Sequence, residues 1–168
     1  MPALRPNSVF LALVCFAAIQ GVYYDRHLPP LLGSHFLQDG SANAWATHAQ
    51  FFTVELIVIA VAALVAFVLP RITSPLPVQL INLPHEDYWL APERREQTLA
   101  YLQSQMAWFG CALLAFLLFA MEQVFRANLR TPPQLNSATL VSALLAFLVV
   151  AAVLFVRMIR HFFRRPIP

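Results

Sequence analysis

The sequence predicts an all-α, four-transmembrane-helix integral membrane protein with a short structured outer loop and a cytoplasmic extension of the third helix. Three observations predict it. Charged residues make up 11% of the 168-residue chain, against roughly 25% in a soluble domain. The deficit is concentrated in four nearly charge-free runs, each approaching the roughly 20 residues a helix needs to cross the hydrocarbon core. None of the runs alternates as a membrane barrel strand does, so helices, which satisfy their own backbone groups, are the spanning form open to this chain. The chain reads as a single membrane domain, 1–168, with spans at 8–24, 51–70, 106–125 and 138–156.

The first run is SVFLALVCFAAIQGVYY. Arg5 before it and its length resemble a secretory signal, but Gln20 to Tyr24 offers no small-x-small exit, and Val14 is bulky for a lipoprotein site before Cys15. The run is therefore expected to stay as a span. Pro29-Pro30 should break its helix. In the loop that follows, Asp39-Gly40 is a turn signal, and Gly40 tolerates a positive φ. These features predict a small hairpin-like cap, with Phe36 and Trp45 folded against the membrane.

In the second run, Ala60, Ala62, Ala63 and Ala66 face the prospect of close helix approach, as does Gly110 in the third. Pro92 suits a first helical position, and Glu93 and Glu96 suit a first turn. With Leu99, Leu102 and Met106 at helical spacing, this predicts one helix from about Pro92 to Phe125. Such a helix would rise roughly 50 Å, beyond the core thickness. In the fourth run, Ser142, Ala146 and Ala151 offer another small-residue contact, and the tail RMIRHFFRRPIP should prolong the helix until Pro166. Cys15 and Cys111 lie in apolar runs and read as small buried hydrophobes, with no disulfide framework.

All eleven basic residues are Arg. Eight of them (Arg5, Arg71, Arg94, Arg95, Arg157, Arg160, Arg164, Arg165) fall in the N-terminus, second loop and C-terminus; Arg26, Arg126 and Arg130 fall in the other two loops. The positive-inside rule then puts both termini in the cytoplasm. The same rule explains the net charge of +3, so the charge gives no reason to expect nucleic acid.

Ionisable residues within spans are functional candidates because they are costly there. Glu55 and Glu122 are expected near the outer side, paired with Arg26, Arg126 or Arg130. His27, His35 and His48, with Asp25 and Asp39, are suitable zinc ligands, but their spacing matches no compact site, and neither metal nor cofactor is expected. The candidate ligand- or partner-binding residues are His35, Asp39, Trp45, Glu55 and Glu122.

The segment INLPHEDYWLAPERREQTL carries four of the eight acids. Tyr88 and Trp89 suit the headgroup level, and Arg94 and Arg95 suit anionic lipid heads. With Glu93 they form the candidate cytoplasmic interface. Glu86 and Asp87 are expected to pair with Arg94, Arg95 or Arg71, and Val78 to Ile81 to form a short strand or lie on the lipid. No nucleophile and base pair is visible here.

The loop stretch LPPLLGSHFLQDGSANAW resembles a small bacterial membrane module that also occurs at the N-terminus of SdpI-type immunity proteins. The pattern falls here on Pro29 and Pro30, His35 and Phe36, Gly40 and Trp45; His48 stands where a basic residue usually precedes the second span. NLP and DYWLAPERR are similar to a subgroup of the same family. The resemblance implies a four-span inner-membrane protein without assigned chemistry, and the immunity proteins have further spans that this chain lacks. A binding, sensor-like or accessory interaction protein is the expected function. A small-solute transport component is the alternative, and a membrane-embedded metal-dependent enzyme ranks below it. The expected partners are the lipid bilayer and a membrane or periplasmic protein, and a homo-oligomer is compatible with the surfaces.

Overall fold

The computed structural model describes residues 5–70 and 83–163. Helix α1 (Pro6–Asp25) is followed by a two-stranded antiparallel hairpin, β1 (Leu31–Phe36) and β2 (Ala42–Thr47). Helix α2 (His48–Ala63) continues through a π-helical segment, Leu64–Val68. Then come the short α3 (Glu86–Trp89), the 34-residue α4 (Arg95–Asn128) and α5 (Ser137–Phe163). Four helices are long and apolar enough to cross a membrane: Pro6–Asp25, His48–Val68, Arg95–Asn128 and Ser137–Phe163. Among the described residues the sheet is the one departure from a purely helical fold, and it forms the cap that Asp39-Gly40 predicts. Val78 to Ile81, Arg71, Arg164, Arg165 and Pro166 lie outside the described residues.

Helices α1, α2 and α4 pack together around Phe10, Ala17, Ala62, Ala66, Cys111, Leu114 and Leu118. In lipid, helices gain little from burying apolar surface against each other, so close backbone approach decides their contacts. Gly110 on α4 provides it: a Cβ there would collide with the Ala66 methyl and sit 3.0 Å from Ala66 Cα. Ala66 lies in the π-helical segment, so the irregular turn of α2 meets the residue of α4 that lacks a side chain. Cys111 is buried as expected, whereas Cys15 is exposed on the outside of α1.

Helix α5 is attached differently. Its apolar surface is almost entirely open, and only Phe162 is buried. Its contact with α4 runs through rings, with Phe147 stacked on Phe116 at 5.2 Å and tilted against Phe109 at 6.1 Å. Of the small residues expected at this contact, Ala151 lines a groove with Met106 and Phe109 of α4. Ala146 lines a groove beside the contact, and the exposed Ser142 hydroxyl donates back to Ala138 O, satisfying itself within its own helix.

The start of α4 falls at Arg95, three residues after Pro92. Residues 92–94 form a turn in which Arg94 and Arg95 N–H both donate to Ala91 O. Neither Ala91 nor Arg94 has a side chain that accepts from the first turn, and the helix waits until the chain has rounded Pro92. Thr98 Oγ1 donates to Trp89 O at 2.8 Å, fixing that turn to α3. At its other end α4 runs one turn past Phe125 to Asn128, whose side chain finds partners in the hairpin.

A side chain at Gly110 must displace Ala66 backbone. Overpacking of this kind costs about 1–3 kcal/mol, so Gly110→Val should lower the thermal midpoint in detergent. Gly21→Ala, where the nearest atom would sit 3.6 Å away, should leave the midpoint unchanged or raise it, since Ala is favoured over Gly inside a helix by roughly 0.5–1 kcal/mol.

Candidate functional site

The end of the bundle that carries the hairpin holds two connected features. The first is an aromatic and aliphatic cluster. Phe125 is fully buried, with Tyr24 stacked on it at 4.6 Å and Phe51 and Phe52 at 6.0 and 6.1 Å. Leu32 of β1 enters the same cluster and is also fully buried. The hairpin is thus part of the core. Its pairing sets Leu32 opposite Ala46 on the inner face, which places Leu31, Trp45 and Thr47 on the outer one.

Hydrogen bonds then fix the hairpin at two places. Asn128 is buried at the end of α4; its Oδ1 accepts from Gly33 N–H at 2.6 Å, and its Nδ2 donates to Gly33 O at 3.1 Å and Val124 O at 2.9 Å. The register shifts just after Gly33, so Asn128 meets the strand at the irregularity and satisfies both backbone groups there. The tip is held by Gln134, Leu135 and Ser137. Leu135 N–H donates to Gly40 O at 2.8 Å, Gln134 Nε2 donates to Asp39 O, and Ser137 Oγ donates to Gln38 O at 3.3 Å. Gly40 has φ +85, and a Cβ there would collide with Leu135 O, so this position needs glycine on both counts.

The second feature is a polar cluster between α1 and α4. Glu122 Oε2 accepts from Gln20 Nε2 at 2.7 Å; Oε1 accepts from Tyr24 OH at 2.8 Å and Arg126 Nε at 2.6 Å. Glu122 therefore has the partner expected for it, Arg126. Glu55 does not. It is 4% exposed, makes no ion pair among the described residues, and its Oε1 is buried without a hydrogen-bond partner. Its carboxylate lies beside Gly21. The expected pairing of Glu55 with Arg26, Arg126 or Arg130 is corrected on this point: its carboxylate is packed between Gly21 and the helix it stands on, and Arg126 pairs with Glu122 instead.

The histidines are dispersed. His35 Nδ1 donates to Asn43 Oδ1, His27 Nδ1 donates to Tyr23 O at 2.6 Å, and His48 Nε2 donates to Pro29 O with its Nδ1 3.5 Å from Asp25. Among the described residues no group of three or more His, Cys, Asp or Glu could hold a metal ion. Asp39 is used locally, accepting from Ser41 Oγ at 2.7 Å and Ser41 N–H at 2.9 Å. Trp45 is 53% exposed, and the ring of Phe36 turns back over Gly33. His35, Asp39 and Trp45 thus share the hairpin, while Glu55 and Glu122 belong to the helices beneath it.

At the opposite end, one residue of the expected interface, Trp89, also makes a contact within the protein. Trp89 Nε1 donates to Phe162 O at 3.1 Å, and His161 stacks on Tyr101 at 4.0 Å and tilts against Trp89 at 4.8 Å. Tyr88 lies under the Arg94 guanidinium at 4.1 Å, a cation–π pair. Glu86, Asp87 and Glu93 are exposed and Arg95 is half-buried. Glu86 and Asp87 make no ion pair with Arg94. This segment ties α3 to the end of α5.

The chain matches no family model, no curated protein and no solved structure.

Sequence reasoning missed Asn128 and Gln134. A polar residue just after an apolar run reads as an ordinary helix end, and only the positions of the hairpin atoms reveal two more partners.

Removing the Asn128 side chain leaves both Gly33 groups without their partner. Unsatisfied buried groups cost about 1–3 kcal/mol each at most, so Asn128→Ala should lower the thermal midpoint clearly, while Trp45→Ala on the open face should not. A separate expectation concerns Asp39. Hydrogen bonds from the Ser41 side chain and backbone hold its carboxyl below the ordinary 3.8. A depressed folded value means that the turn contact is present above the ordinary value and is lost as pH falls through the depressed one. An NMR titration of the Asp39 carboxyl carbon should give a midpoint below 3.8, and Ser41→Ala should raise it.

Proposed function

We propose that this is a bacterial inner-membrane binding protein, sensor-like or accessory, whose hairpin cap is its recognition surface. The observation that carries this reading is the division of the hairpin into two faces. The inner face and tip are anchored by Leu32, Asn128, Gln134, Leu135 and Ser137, the outer face leaves Leu31 and Trp45 exposed, and His35 is exposed beyond the register shift. A preorganised aromatic and aliphatic pair beside hydrogen-bonding side chains has the chemistry of a protein contact centre, because ordering costs have been met before binding. The arginine distribution supports placing both termini in the cytoplasm and the hairpin in the periplasm. The partner is then a periplasmic protein or the outer part of another membrane protein.

The likeness of the loop to the SdpI-type module agrees with an exposed recognition loop and carries no activity over to this chain. A transport role draws support from one feature, the buried Glu55, while Glu122 has all its acceptor oxygens engaged.

A photo-crosslinking residue placed at Trp45 or His35 tests the reading in native membranes. Each should yield a protein adduct of one discrete size, and the same residue at Glu93 should not. Adducts to lipid alone from both hairpin positions would contradict it.

A further inference from the structure

Alongside the polar cluster, a groove of about 590 Å³ runs between α1 and α4 at the hairpin end of the bundle. Its lining is graded along the helix axis. Phe16 and Ile19, both exposed, form the part deeper in the span, and Leu129 and Arg126 form the part nearest the hairpin. From Phe16 to Tyr23, α1 rises roughly 10 Å. The polar floor is satisfied internally, since Glu122 takes hydrogen bonds from Gln20, Tyr24 and Arg126. Arg126 is not used up. A guanidinium has five N–H donors, Nε is taken by Glu122, and the side chain is 65% exposed at the groove's edge. Arg26 and Arg130 are exposed at the same end. The acids nearby are engaged: Glu122 in the cluster, and Asp25 facing His48 at 3.5 Å.

We propose that this groove binds an anionic phospholipid, with the phosphate on the Arg126 guanidinium and an acyl chain over Ile19 and Phe16. The Glu122 ion pair holds the guanidinium at the boundary of the span, where a long cationic side chain reaches the headgroup level. There the remaining donors of its planar fork face the two non-bridging oxygens of a phosphodiester, which a guanidinium binds bidentately. The apolar part argues for a lipid source, because a free anion would gain nothing from Phe16 and Ile19. Glu122 excludes a second anion deeper in the groove and orients the headgroup toward the hairpin end. The site is independent of partner recognition by the hairpin, and its readout is bound lipid.

The test is native mass spectrometry of the full chain in mild detergent with equal amounts of phosphatidylglycerol and phosphatidylcholine. Attraction of an anionic headgroup to one nearby Arg corresponds to about a fivefold preference. The wild type should retain phosphatidylglycerol over phosphatidylcholine by that factor, and Arg126→Gln should abolish the preference. Arg157→Gln makes the same charge change at an exposed position at the other end of α5 and should leave the preference intact. Ile19→Trp leaves the ion pair untouched and fills the groove, so it should reduce retention of both lipids. Excess inorganic phosphate should displace neither. The proposal is overturned by equal retention of the two lipids in the wild type, by equal loss of preference in Arg157→Gln, by retention unchanged in Ile19→Trp, or by displacement with inorganic phosphate.

Discussion

A single buried asparagine joins the helical bundle to the cap. Asn128 sits at the last turn of α4 and uses both ends of its amide on the backbone of Gly33. A strand with a register shift beside a membrane has backbone groups that neither its partner strand nor lipid can satisfy. Asn128 answers that constraint from a helix rather than from the sheet. Because the same helix end carries Phe125, which packs against Leu32 of β1, the polar clamp and the apolar contact are set by residues one turn apart. The position of the whole hairpin then follows from the position of α4.

The rest of the architecture depends on where α4 is anchored. It touches each of the other three spanning helices: α1 through the Gln20–Glu122 bond, α2 through Gly110 and Ala66, α5 through Phe116 and Phe147. A two-stranded hairpin alone is marginal in water. Here the tip also accepts hydrogen bonds from Gln134 and Leu135, so the cap is held by the same connection that leads into α5. At the opposite end Trp89 and Phe162 close the other side of α5. Helix α5 is secured at its two ends and along one seam of rings, which explains how so little of it is buried.

Much of this was legible in the sequence for physical reasons. The four spans show because hydrocarbon tolerates no charged runs, and the hairpin shows because Asp39-Gly40 supplies a turn. Gly110 and Ala66 belong to a small-residue pattern that lipid-embedded contacts require. Glu122 was assigned an arginine and has one. Glu55 was not so readable: its depth could be counted along the helix, but the face it occupies depends on how α2 packs against α1. The segment around Trp89 reads as a surface because it is polar, and Glu86, Asp87, Glu93 and Arg94 are exposed; the tie that Trp89 makes depends on the end of a helix more than 70 residues away. The rings of Phe109, Phe116 and Phe147 were not read as the seam between α4 and α5, because phenylalanines in a span look the same whether they face lipid or another helix.

The central claim is that the cap is a preformed part of the bundle, fixed by α4 before anything binds. Residue-resolved amide hydrogen exchange at Gly33, measured by NMR in lipid nanodiscs without any partner, tests it most directly. The account predicts protection comparable to amides inside α4. Exchange as fast as that of an open surface loop would show that the Asn128 clamp does not hold the strand, and the preformed cap would be contradicted.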